Sequence, residues 1–86
     1  MSNDIAILKR AEIMLKDRLE KLDERIDHLN AIVTIDLIEY GVSPVKEILD
    51  NFIDKKKAVT DELNFTVFQI REIEISQMLR QTDRLN

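Results

Sequence analysis

The sequence predicts an all-α protein: an antiparallel two-helix hairpin of coiled-coil type that dimerises into a four-helix bundle. Two observations support this fold class. The 86 residues include one glycine and one proline, and both lie close to the midpoint of the chain. On each side of the midpoint, apolar residues recur with the spacing of an α-helix. Charged residues make up 35% and hydrophobic residues 44% of the chain, which is typical of long helices.

The midpoint contains residues that end one helix and begin another. Gly41 suits the left-handed conformation just past a helix end, and contact between Val42 and Leu37 would complete a Schellman motif. Ser43 is a favourable N-cap, and Pro44 suits the first helical position because its missing N–H needs no partner there. The predicted single domain, 1–86, therefore has a helix over about 4–40, a turn at 41–43, a helix over about 44–80 and a frayed tail at 81–86.

A heptad pattern runs along the first helix, with leucine every seven residues and a second apolar residue three or four positions away. The second helix carries one main apolar stripe, which includes Val45, Ile48 and Ile73. Lys56 and Thr66 also fall on this stripe and are its less apolar members. Together these patterns predict the hairpin seam: Leu8, Leu15, Leu19, Leu22, Ile26, Leu29, Val33, Phe52, Val59, Leu63 and Ile70.

The short turn fixes the register of the two helices. It forces them to run antiparallel, so residues whose numbers add up to about 83 should lie at the same height. The basic run Lys55 to Lys57 would then lie beside Asp23, Glu24 and Asp27. These charges favour the antiparallel register, and they also offer the one clustered basic site in the sequence.

The hairpin has more apolar surface than one partner helix covers. At 100° per residue, a second apolar set on the second helix falls about 180° from its main stripe. Apolar residues also run nearly all the way round the first helix over 31–38, a pattern typical of a buried helix. The predicted partner or oligomer interface consists of Ile7, Met14, Ile32, Phe65, Phe68, Ile75 and Leu79.

Composition argues against most catalytic and cofactor chemistry. With no cysteine and one histidine, the chain lacks the ligands of a zinc or di-iron site, and one glycine cannot form a phosphate-binding loop. We therefore expect no catalytic, cofactor-binding or metal-binding residues. The N-terminus lacks signal-peptide features and no apolar run is long enough to span a membrane, so we expect a cytoplasmic protein without membrane contact.

These patterns favour a non-enzymatic protein–protein interaction module: a regulator, adaptor or chaperone-like factor that forms a homodimer and docks on another protein. One alternative is an RNA-binding hairpin dimer that uses Lys55 to Lys57, although the net charge of −4 opposes binding to nucleic acid. A more remote alternative is a small helical-bundle enzyme. Residues 18–27 are similar to the first helix of chorismate-mutase-like bundles, which implies a cationic pocket inside a helical dimer, but that fold has three helices.

Overall fold

Two long helices and one short turn make up the protein. A computed structural model of the chain describes residues 2–85, and the side chains of residues 4–81. Helix α1 is Ser2–Tyr40 and helix α2 is Lys46–Leu85. They pack against each other along their length in a rod of 71 × 17 × 14 Å. The predicted all-α hairpin is confirmed, and the described residues contain no strand.

Helix α1 ends at a glycine with a left-handed backbone. Gly41 has φ of 75°, and its N–H donates to the carbonyl oxygen of Leu37 over 3.0 Å. That single bond defines the αL motif, whereas a Schellman motif needs a bond from the N–H of the next residue. The expected contact between Leu37 and Val42 is also not a buried one, because both side chains are exposed.

Ser43 links the turn to both helices. Its Oγ accepts a hydrogen bond from the N–H of Val45 over 3.3 Å, which is the bond of an N-cap. The same hydroxyl donates to Oδ2 of Asp36 in the last turns of α1 over 2.8 Å. Residues 44 and 45 form a turn, so regular helix begins at Lys46, two residues later than predicted.

The far end of α2 also differs from the prediction. The sequence suggested fraying over 81–86, but α2 remains helical through Leu85. Residue 86 lies outside the described residues. Helix formers such as Arg80 and Gln81 continue the helix, and neither glycine nor proline occurs there to end it.

The core is a single seam between the helices. Ile26, Leu29, Val33 and Leu49 form a buried cluster near the turn, with Val45 and Phe52 packed against it. Farther from the turn, Leu15, Val59, Thr66 and Ile70 are also buried. The remaining predicted seam residues are half-buried: Leu8, Leu19, Leu22, Phe52 and Leu63.

The prediction that Ile48 belongs to the buried stripe of α2 is wrong. Ile48 is 49% exposed, and the neighbouring Leu49, 5% exposed, occupies the core instead. Leu49 donates its N–H to the carbonyl oxygen of Val45, so these two residues stand one turn apart on the buried face. The buried Thr66 is satisfied because its hydroxyl donates to the carbonyl oxygen of Glu62 over 2.9 Å.

Two ion pairs across the hairpin report its register. Lys9 Nζ lies 4.0 Å from Glu74 Oε1, and Lys56 Nζ lies 2.5 Å from Asp23 Oδ1. The residue numbers in these pairs add up to 83 and 79, so the register drifts by about one helical turn along the rod. Lys56 thus stands beside Asp23, as the charge pattern predicted.

Candidate interaction surface

The most conspicuous exposed feature is an apolar stripe on the outer side of α2, which we call the outer stripe. Its side chains are between 56% and 62% exposed, although each is large and apolar. At 100° per residue they lie about 175° from the buried face of the same helix. Helix α1 therefore covers one side of α2 and leaves the other uncovered. The outer stripe consists of Phe65, Phe68, Ile75 and Leu79.

One acidic residue interrupts this stripe. Glu72 continues the spacing of three and four residues that separates Phe68 from Ile75, and its side chain is exposed. Glu72, Phe68 and Ile75 line the same surface groove, of about 830 Å³, which extends towards Asp4 and Arg80. Glu72 thus lies between two apolar side chains of this groove, whose lining also includes the charged Asp4 and Arg80.

The predicted interface residues on α1 lie elsewhere. Ile7 and Met14 are 63% and 68% exposed on one flank of α1. Met14 lines a different groove, together with Arg18 and Glu62. Ile32 is half-buried and therefore contributes less free surface than the other two. The structure does not bring the α1 and α2 residues of the predicted interface together within one hairpin.

The turn end carries further exposed apolar side chains. The segment 31–38 was expected to be buried all round, yet Ile35, Leu37 and Ile38 are exposed in the single hairpin. Tyr40 and Val42, which the sequence analysis did not single out as surface residues, extend this patch onto the turn. Their exposure could have been predicted from the sequence, since a two-helix hairpin has no third element to cover apolar residues at the turn.

The basic run is partly engaged by the hairpin itself. Lys56 pairs with Asp23, and Lys55 Nζ lies 5.2 Å from the centre of the Phe52 ring. The Arg25 guanidinium lies 5.9 Å from that same ring. Cation–π contact with Lys55 and Arg25 explains why Phe52 packs beside charged residues in the middle of the rod. These contacts favour a structural role for Lys55 and Lys56 over one in holding phosphates.

Acidic side chains, the single histidine and the apolar stretches of the two helices are spread along the rod as follows. Within 2–85, no three histidine or acidic side chains converge as a metal site would require. His28 is exposed and lies in a shallow groove with Lys21 and Arg25. Over the same residues, neither helix contains an apolar stretch suited to crossing a bilayer.

Comparisons of the chain with protein-family models, with curated proteins and with solved structures find no match.

Proposed function

We propose that this protein is a non-enzymatic protein–protein interaction module whose working surface is the outer stripe. The observation that carries the proposal is that four large apolar side chains of α2 remain more than half exposed opposite the seam. Burying one such side chain contributes roughly 1.5–3 kcal/mol, so covering all four is a substantial driving force for association.

A second copy of the chain is the covering partner that we propose first. Among the described residues, no large side chain is fully buried, because a two-helix seam is only one layer thick. Two hairpins packed as an antiparallel four-helix bundle would add a second layer of core. A homodimer would thus supply the buried interior that the isolated hairpin lacks.

Another protein is the second partner in the proposal. Aromatic and methionine side chains are enriched in protein–protein contacts, and this chain exposes Phe65, Phe68, Met14 and Met78. Surface left over by the dimer, at either end of the rod, would then dock on a regulated protein. We place this activity in the cytoplasm, where a chain without cysteine needs no oxidising conditions.

The test replaces the aromatic part of the outer stripe. We expect Phe65→Ser with Phe68→Ser to shift the purified chain to a smaller species in size-exclusion chromatography, while circular dichroism shows helix content close to that of the wild type. The control is Ile13→Ser with Ile38→Ser, which removes two apolar side chains outside the stripe that are even more exposed than Phe65 and Phe68. An identical elution shift in both variants would contradict a specific role for the stripe.

A further inference from the structure

A second exposed pattern, on α1, matches the middle of the outer stripe with the opposite charge. Ile7, Arg10 and Met14 follow the same spacing of three and four residues, and all three side chains are exposed. We call this set the α1 flank. It places a positive charge between two apolar side chains, whereas α2 places the negative Glu72 between Phe68 and Ile75.

The two patterns coincide when the helices run antiparallel. Ile7 then faces Ile75, Arg10 faces Glu72 and Met14 faces Phe68, and the residue numbers of every pair add up to 82. The ion pair between Lys9 and Glu74 shows that the hairpin holds these parts of α1 and α2 at the same height, since those numbers add up to 83. The match in sequence is therefore also a match in height.

A single hairpin cannot make these contacts. At 100° per residue, Arg10 lies about 140° and Glu72 about 165° from the centre of the buried face of its helix. Their side chains leave the rod on different sides. Among the ion pairs of the described residues, Lys9 pairs with Glu74, and neither Arg10 nor Glu72 takes part in one. The complementary charges are thus available to a second molecule.

We propose that the α1 flank of a second copy of this chain packs on the outer stripe, with Arg10 of one copy paired to Glu72 of the other. The hairpins lie side by side with their turns at the same end, related by a rotation about an axis parallel to the helices, which leaves every residue at its own height. Because the α1 flank and the outer stripe leave the rod on different sides, the contact is heterologous, and its repetition joins further copies. This inference rests on the proposed self-association and names its surfaces.

The match in height holds towards the termini and weakens towards the middle of the rod. There the numbers of the paired Lys56 and Asp23 add up to 79, so Lys21 and Asp61, whose numbers add up to 82, lie about three residues apart in height. Asp17 would face Phe65, but it pairs with Lys21 of its own helix at 3.2 Å, which limits the cost of that position. The contact is therefore confined to the half of the rod nearest the termini.

The competing arrangement pairs two outer stripes with each other. An antiparallel α2–α2 contact that sets Phe68 on Ile75 of the second copy is centred between residues 71 and 72, so it brings the two Glu72 side chains of the facing stripes close to each other. Like charges facing each other across an interface oppose association, and opposite charges favour it. Charge complementarity thus selects the α1 flank as the occupant of the outer stripe.

The test is a charge reversal with rescue, measured by sedimentation equilibrium of the full chain at low salt. We expect Arg10→Glu and Glu72→Arg each to weaken self-association by about tenfold or more, because each places like charges opposite each other. The double variant, with both changes, should return to within about threefold of the wild type because the pair is restored in reverse.

Glu74→Arg is the matched control. It makes the same charge change two residues from Glu72, but Glu74 pairs with Lys9 inside its own hairpin. We expect it to change self-association by less than about threefold, since exposed ion pairs contribute little. Circular dichroism verifies that all four variants keep their helix content, as substitutions of exposed residues should.

Three outcomes would overturn this contact while leaving the proposed function open. If Arg10→Glu associates like the wild type, or if the double variant stays as weak as the single ones, the α1 flank is not the occupant. If Glu72→Ala strengthens association, two outer stripes meet instead. In each case the proposed function survives provided that Phe65→Ser with Phe68→Ser still dissociates the protein. A chain that is monomeric at every concentration removes both this contact and the proposed dimer.

Discussion

Gly41, Ser43 and Asp36 set the geometry of the turn by different means. Gly41 adopts a left-handed backbone that few other residues accept, and Ser43 caps α2 through its hydroxyl. Asp36 accepts a hydrogen bond from that hydroxyl and so ties the end of α1 to the start of α2. Each residue satisfies a backbone or side-chain requirement that the reversal of the chain creates.

Replacing Gly41 tests the left-handed conformation. A Cβ at this position would meet no atom within 4 Å, so the cost of a side chain comes from the backbone alone. We expect Gly41→Val to lower the free energy of unfolding by about 1–2 kcal/mol, and Gly41→Asn to lower it less, because asparagine tolerates positive φ. Thermal unfolding followed by circular dichroism measures both, and equal melting temperatures for valine and glycine would contradict the observed φ.

Replacing Ser43 tests the link between the helices. Ser43→Ala removes the N-cap bond and the bond to Asp36 together, and we expect a loss of about 0.5–2 kcal/mol in stability. Asp36→Ala should cost less because it leaves the cap intact, while Asp36→Asn keeps an acceptor oxygen and should cost least. Urea unfolding curves rank the three variants. A larger loss for Asp36→Ala than for Ser43→Ala would contradict this ranking, because Ser43→Ala removes both bonds.

The turn shows which residue-scale features a sequence can predict. Gly41, Ser43 and Pro44 were singled out because their backbone and capping preferences act over a few neighbouring residues. The bond from Ser43 to Asp36 spans seven positions and depends on how the chain folds back, so no local pattern indicates it. The αL ending likewise differs from a Schellman ending by one backbone bond, which side-chain types alone do not specify.

At the scale of the helices, the start of α2 shows how a turn decides which residues of a helix face the seam. Ile48 and Leu49 stand four and three residues before Phe52, and both spacings are compatible with one helical face. The geometry of the turn puts Val45 and Leu49 in the buried cluster and leaves Ile48 exposed. Apolar periodicity therefore predicted the face well along the helix and failed within its first turn.

The adjacent pair of residues provides a matched test of this phase. We expect Leu49→Ala to cost about 2–5 kcal/mol of stability because it opens a cavity in the seam, and Ile48→Ala to cost less than about 1 kcal/mol. Urea unfolding followed by circular dichroism measures the difference. Equal losses, or a larger loss at Ile48, would place the sequence-predicted residue in the core and contradict the observed packing.

At the scale of the whole molecule, the hairpin is a thin rod with little interior. Its ion pairs across the seam lie at the surface, and such pairs contribute about 0–1 kcal/mol each. The charges on Lys56 and Asp23 therefore specify the register of the helices more than they stabilise the hairpin. Apolar burial in the seam holds the hairpin together, and the outer stripe remains for association.

A double-mutant cycle measures the contribution of that pair. We expect Lys56→Ala, Asp23→Ala and their combination to give a coupling energy below about 1 kcal/mol, falling further at high salt because both side chains are about half exposed. Chemical unfolding at two ionic strengths yields the coupling. A value of several kcal/mol, unaffected by salt, would show that the pair is shielded from solvent by something beyond the hairpin.

The uncovered stripe was predictable because a hairpin covers one face of each helix, and Phe65 and Phe68 fall on the other. The covering partner was not predictable from the same pattern, since an apolar face is compatible with a second copy or a different protein. The complementarity of Arg10 and Glu72 depends on their lying at the same height, and the ion pair between Lys9 and Glu74 is what establishes that height.

Light scattering on the size-exclusion peak of the wild-type chain, over a range of concentrations, tests most directly whether a second copy covers the outer stripe. We expect a mass of at least twice the 10.1 kDa chain mass that falls towards the mass of one chain on dilution. A mass of 10.1 kDa at every concentration would contradict self-association through Phe65, Phe68, Ile75 and Leu79.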